Sequence, residues 1–252
     1  MPRWGGWWLP VLGPGVAVGV WWAVTVVFGI REFFLPGPGD IVAAFRAQPG
    51  YLLREAGTTL VETVVGFGVA AAGGLVLAVV LTAWRGLERA AMPVLVALNA
   101  VPKVAVAPLL VVWLGFGMRP KIVLVVLICF FPILVSAMAG LTSTPAELGE
   151  LSRSLSASVR DTYLKIRLPW ALPQVFVGLR VAVSLAVIGA VVAEISNPGA
   201  GLGAVIVQSG MSFDTPLAFA AIVLLAILST GLFYLVVAVE RALVPWARAI
   251  TG

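Results

Sequence analysis

Ionisable side chains set in apolar surroundings are the residues of this 252-residue chain best able to act on a solute, and they are few. Lys103 follows Pro102 inside one apolar run, and Arg180 and Glu194 fall in another. A charge at the centre of a bilayer is penalised by at least ~2.5–3.5 kcal/mol on insertion scales, so such residues face a bundle interior or a wet path, or reach toward the interface. Arg180 lies ten residues beyond Trp170, roughly 15 Å along a helix, and Glu194 is roughly 21 Å further on. The two cannot pair within one straight helix, so each needs a partner elsewhere. Arg180, Lys103, Glu194 and the polar Asn99 are therefore candidates for the lining of a solute path that favours anionic or polar molecules. The same residues also suit structural pairing, Arg180 with a carboxylate or carbonyl between helices and Lys103 with a helix broken at Pro102.

Other chemistry is excluded by count. There is no histidine, which removes His-ligated metal sites, Ser-His-Asp and Cys-His nucleophile systems and His proton switches. The single cysteine, Cys129, lies in an apolar run, reads as inert packing and has no internal partner for a disulfide. A phosphate-cradling loop needs G-x-x-x-x-G-K-[ST]. The only lysines, Lys103, Lys121 and Lys165, follow Pro102, Pro120 and Leu164, so no such cradle is present. Glu147 and Glu150 are paired carboxylates, but basic neighbours surround them in a polar segment, which suits a solvated or partner-facing role better than acid–base catalysis. No catalytic residue, metal ligand or cofactor is expected in this chain.

The elements that position these residues follow from composition. The chain is 61% hydrophobic and 11% charged, with a mean hydropathy of +1.10. Soluble domains are usually ~45–50% apolar and ~25% charged, so there are too few charges here to cover a water-facing surface. The net charge of +5 comes from cations spread along the chain, which speaks for membrane orientation and against nucleic acid. Six runs approach the ~20 apolar residues of a span: Trp7–Ile30, Val64–Trp84, Met92–Leu114, Ile122–Leu141, Pro173–Ile195 and Leu217–Val239. The first is expected to be an uncleaved span, and residues 1–252 are expected to form one transmembrane domain. With the N-terminus in the cytoplasm, nine Lys/Arg fall inside and five outside, Lys121 among the latter. That is the usual cytoplasmic bias. Trp84, Trp170 and Trp246 then mark inner ends and Trp113 an outer end. Gly66, Ala70, Gly74 and Ala78, and likewise Gly178, Ala182, Ala186 and Ala190, place small residues at every fourth position, which lets helix backbones approach closely. Such a seam could slide in a working cycle or simply pack.

The segment between the fourth and fifth spans, about residues 142–172, is unlike the rest. Thr144 can cap a helix with Pro145 and Glu147 in its first turn, and Leu148, Leu151 and Leu155 recur at helical spacing. Ser156 to Ser158 reads as a turn, and Val159 to Ile166 as a second short helix ending before Pro169. These are two amphipathic pieces, too polar to span and too patterned for a slack linker.

Here the chain resembles the permease subunits of bacterial ABC importers, whose cytoplasmic signature is E-A-A, three residues, G, nine residues, I-x-L-P. Glu150-Leu151-Ser152 stands at E-A-A, Ser156 at the glycine, and Ile166-Arg167-Leu168-Pro169 at I-x-L-P, with the spacing kept. Leu151, Ser152 and Ser156 depart from the pattern, and serine takes φ > 0 less readily than glycine. Leu35-Pro36-Gly37-Pro38, Pro102, Ala105, Pro108-Leu109, Gly115-Phe116-Gly117, Phe131-Pro132, Gly178-Leu179-Arg180, Ala193-Glu194 and Gly201-Leu202-Gly203 follow in order. This set is similar to the nitrate/sulfonate/taurine branch, which also holds thiamine-precursor permeases.

The resemblance implies an all-α membrane protein of about six transmembrane helices with the type I ABC importer permease fold. It also implies two permease chains (a homodimer being the simplest arrangement), two ATPase subunits that bind ATP and Mg, and an external substrate-binding protein, in the inner membrane of a bacterium. The loop would be the coupling helix gripped by the ATPase, with Glu147, Glu150, Leu151, Ser152, Arg153, Leu155, Ser156, Ala157 and Pro169 as its docking residues. A self-sufficient secondary transporter or channel is the alternative, but the two halves show no inverted repeat and a gradient-driven carrier has no need of a docking helix. A membrane enzyme has no nucleophile–base constellation to support it.

Overall fold

Three long helices account for the centre of the structure, a computed structural model that describes residues 9–246, without the side chains at 9–11, 85, 151, 153 and 159. Arg3 and Trp7 at one end and Arg248 at the other lie outside the described residues. The helices are α1 (Leu9–Val27), α2 (Pro38–Ala47), α3 (Pro49–Ala83), α4 (Arg85–Ala100), α5 (Lys103–Leu114), α6 (Met118–Thr142), α7 (Ala146–Ser154), α8 (Val159–Thr162), α9 (Leu168–Ser196), α10 (Leu202–Met211) and α11 (Thr215–Leu243). No strand occurs among the described residues.

Helix α6 runs between α3 and α9, and the small residues explain how closely it is held. Gly66, Ala70, Gly74 and Ala78 on α3 are buried against one side of α6. Gly178, Ala182, Ala186 and Ala190 on α9 are buried against the other. A Cβ on Gly66 would stand 2.6 Å from Val125, and one on Gly178 would overlap Ser136. In lipid, where the hydrophobic effect cannot drive helices together, such close packing supplies the association energy. Cys129 is buried in this seam, its thiol donating to the Ala182 carbonyl at 3.2 Å. A second core joins α2, the start of α3, α10 and α11 around Ile41, Leu52, Leu202, Ala220 and Ala221.

The span boundaries differ from the sequence expectation in three places. Among the described residues, four helices are long and apolar enough to cross a membrane, rising to five if α4 and α5 are taken as one broken span. The expected third span is bent by 88° between Ala100 and Lys103. Pro102 lacks an N–H and pushes Val101 out of the helical region, to φ −64°, ψ 128°. Helix α1 (Leu9–Val27) ends three residues before the expected Ile30, in a turn at Phe28 and Gly29. Helix α3 begins at Pro49, well before Val64, because Glu55, Thr59 and Glu62 on its first turns are buried against other helices instead of lying in a loop. Trp84, Trp113, Trp170 and Trp246 all stand exposed near helix ends, as amphipathic rings at an interface should.

Candidate functional site

Between α6 and α9 the chain leaves the bundle as a short polar arm. Helix α7 ends in a Schellman turn: the Ala157 N–H donates to the Ser152 carbonyl at 2.9 Å, and Ser156 takes φ +52°. That is the left-handed conformation usually filled by glycine, so Ser156 does the glycine's work at a steric cost. Ser158 then caps α8, accepting from the Asp161 N–H at 3.1 Å and donating to its carboxylate at 2.6 Å. Leu155 is 71% exposed at the tip of the arm, and Glu147, Glu150 and Ala157 are exposed around it. Ser152 is buried beneath, its hydroxyl donating to the Gly149 carbonyl. The side chains of Leu151 and Arg153 lie outside the described residues.

Two local expectations about the arm are corrected. Thr144 does not cap α7: its hydroxyl donates back to the Leu141 carbonyl at the end of α6. Nor does the second short helix stop before Pro169. Tyr163–Arg167 form a single π turn, in which the Leu168 N–H donates to the Tyr163 carbonyl, and the chain runs on into α9 with Pro169 in its first turn. A wider turn relieves the clash that proline's ring makes with a carbonyl four residues back. Arg167 stacks over the Tyr163 ring, 4.8 Å from its centroid. The arm is thus mechanically continuous with α9.

The ionisable residues inside the bundle each have partners. Arg180 Nη2 lies 3.1 Å from Glu240 Oε1 on α11. Lys103 Nζ donates to the Asn99 carbonyl at 3.0 Å and to its side-chain oxygen at 2.7 Å, bridging the break between α4 and α5. Glu194 is fully buried, accepting from the Thr59 hydroxyl at 2.6 Å and the Gly203 N–H at 2.6 Å. So the four candidate path residues are not brought to one place: Asn99 and Lys103 line one pocket, Arg180 bridges α9 and α11, and Glu194 is sealed into a network.

Sequence reasoning missed that network. Glu55 Oε2 accepts from the Gly201 N–H at 2.7 Å, Thr59 Oγ1 accepts from the Leu202 N–H at 2.9 Å, and Glu194 takes Gly203. Two carboxylates and a hydroxyl therefore meet the N-terminus of α10, where free N–H groups and the helix dipole favour negative charge. This explains Gly201-Leu202-Gly203: Gly201 has φ +100° and a Cβ there would overlap the Glu194 carboxylate, while one on Gly203 would stand 2.8 Å from the Val191 carbonyl. Lys121 is 3% exposed, 3.1 Å from Glu62 Oε1, and donates to the Ala200 carbonyl at 2.7 Å. It belongs to the core, not to an outer loop. The spacing of Glu55, Thr59 and Glu62, one helical face in an apolar stretch, was the available signal.

The family described as "Binding-protein-dependent transport system inner membrane component" matches residues 70–248. A probable ABC transporter permease protein of Haemophilus influenzae is 35% identical over 225 residues, 89% of this chain and 92% of that one. The riboflavin transport system permease protein RibX of Chloroflexus aurantiacus is 37% identical over 228 residues, 90% of this chain and 85% of its own length. Among solved structures, an inward-facing form of the MetNI methionine ABC transporter superposes with a TM-score of 0.69 at 22% identity, covering 78% of this chain and 98% of that one.

Proposed function

The chain belongs to the family of binding-protein-dependent transport system inner-membrane components, and from that premise we propose that it works as one of two identical permease chains, driven by two ATPase subunits and fed by an external substrate-binding protein. It is a multi-pass ABC importer permease with the type I fold and is not itself an enzyme, since ATP hydrolysis belongs to the partner ATPase. The solute is a small molecule of the nitrate, sulfonate, taurine or thiamine-precursor kind, and the N-terminus faces the cytoplasm of a bacterial cell.

The observation that carries the proposal is the arm from α7 to the π turn. Its exposed Leu155 tip and polar rim fit a partner's cleft, and its unbroken run into α9 gives that partner a grip on a helix packed along α6. ATP-driven closure of the ATPases moves the arms and opens the path outward. Nucleotide can do this only by binding one global state better than the other. Burying a leucine in a cleft contributes roughly 1.5–3 kcal/mol, which is roughly tenfold to a hundredfold in affinity. The paired change Leu151→Glu and Leu155→Glu should abolish co-purification of the ATPase while leaving the permease folded. Undiminished ATPase binding by that variant would overturn the proposal.

A further inference from the structure

Among the described residues, Arg180, Lys121 and Lys103 lie inside the bundle, and their charge balance singles one out. Arg180 is neutralised by Glu240 and Lys121 by Glu62, each at 3.1 Å. Among the described residues Lys103 hydrogen-bonds to Asn99 alone, and no carboxylate pairs with it. The helix ends beside it compensate only in part: Nζ sits on the Asn99 carbonyl in the last turn of α4, whose roughly −0.5 charge offsets about half of the ammonium's and leaves a net positive charge at the break. The first turn of α5 holds no acidic residue, and Lys103 is itself the first residue of that helix.

The break also has a cavity. About 330 Å³ lies between α4, α5 and α6, with Lys103 and Asn99 at its polar point and Leu95, Val101, Leu127 and Phe131 among its walls. That is within the range of small-molecule pockets. Leu127 and Phe131 sit nine and thirteen residues into the 25-residue α6, about 14–20 Å from its start and so near mid-span. We infer that this cavity is a transmembrane recognition site for a small organic anion, with Lys103 Nζ taking the charged group and the Leu127–Phe131 wall taking the apolar body. The inference rests on the importer reading and narrows it: Arg180 and Glu194 are structural, and the break between α4 and α5 carries the selectivity.

The test uses the full chain assembled with its ATPase, carrying Cys129→Ala and Val101→Cys. The thiol is labelled with sulfonatoethyl methanethiosulfonate, an anion, and with the trimethylammonioethyl reagent, a cation. Relative to free cysteine, the anionic reagent should react roughly tenfold faster than the cationic one, as charged clefts concentrate opposite charge. Lys103→Met should bring the two rates together and Lys103→Arg should keep the difference. In addition, 1-pentanesulfonate should protect the thiol from uncharged methyl methanethiosulfonate, 1-pentanol should not, and protection should vanish in Lys103→Met. A ratio indifferent to Lys103, or protection by the alcohol equal to that by the sulfonate, overturns the inference. ATPase binding is read in the same samples: its persistence in Lys103→Met leaves the importer reading standing whatever the labelling shows. Its absence from the Lys103 parent, with charge selectivity intact, would count against that reading alone.

Discussion

Replacing Lys121 by methionine keeps most of the side chain's volume and removes one buried charge. Glu62, 1% exposed, then has no neutralising partner, and the Ala200 carbonyl loses its donor. Neither Glu62 oxygen makes a well-formed hydrogen bond among the described residues, and the other ionisable group beside it is the Glu194 carboxylate, which cannot supply a compensating positive charge. At 3.1 Å and an effective dielectric of about 20, the lost attraction is roughly 5 kcal/mol. Breaking a buried pair from one side typically costs about 3–5 kcal/mol. The double variant Lys121→Met with Glu62→Leu should recover most of that, since an apolar replacement of both partners is often nearly neutral. The assay is unfolding of the purified chain by sodium dodecyl sulfate in mixed micelles, comparing both singles, the double and the parent. The single change should be destabilising by about 3 kcal/mol or more, with a coupling energy of similar size in the cycle. Additive effects, or a single variant within about 1 kcal/mol of the parent, would refute the view that Lys121 neutralises a core carboxylate.

Two further outcomes follow from the backbone. Gly178→Ala drives a methyl group into Ser136 and should destabilise by about 1–3 kcal/mol. Gly68→Ala, where a Cβ meets nothing within 4 Å, should be neutral or better in the same unfolding assay; equal losses at both sites would count against the tight seam on α6. Ser156→Gly relieves a left-handed residue and should stabilise the arm by about 1 kcal/mol, tightening ATPase binding up to about fivefold. Weaker binding measured by titration of the ATPase would show that the turn is not held as described.

Hydropathy made the long helices legible, because lipid imposes length and apolarity on a segment independently of its neighbours. The polar network was not legible in the same way. Glu55, Thr59 and Glu62 look like loop residues until Lys121, Glu194 and the Gly201–Gly203 backbone meet them from far along the chain. For the same reason Lys121 reads as an outer-loop cation. Prolines were ambiguous too. Pro108 and Pro132 sit inside continuous helices, whereas Pro102 marks an 88° break and Pro169 is absorbed by a π turn. What decides between these outcomes is whether neighbouring helices or a wider turn satisfy the freed carbonyl. The arm's spacing was legible because its turn is local, and Ser156 takes there the positive φ that the signature's glycine implies.

Sidedness of the arm is the most direct check on its coupling role. With Cys129→Ala as background, Ala157→Cys places an exposed thiol beside the Leu155 tip. A membrane-impermeant maleimide should label it in inverted vesicles stripped of ATPase, leave it unlabelled in intact spheroplasts, and be blocked when the ATPase is added back. Labelling from the outside of intact spheroplasts would contradict the account, because no ATP-hydrolysing partner could reach the arm there.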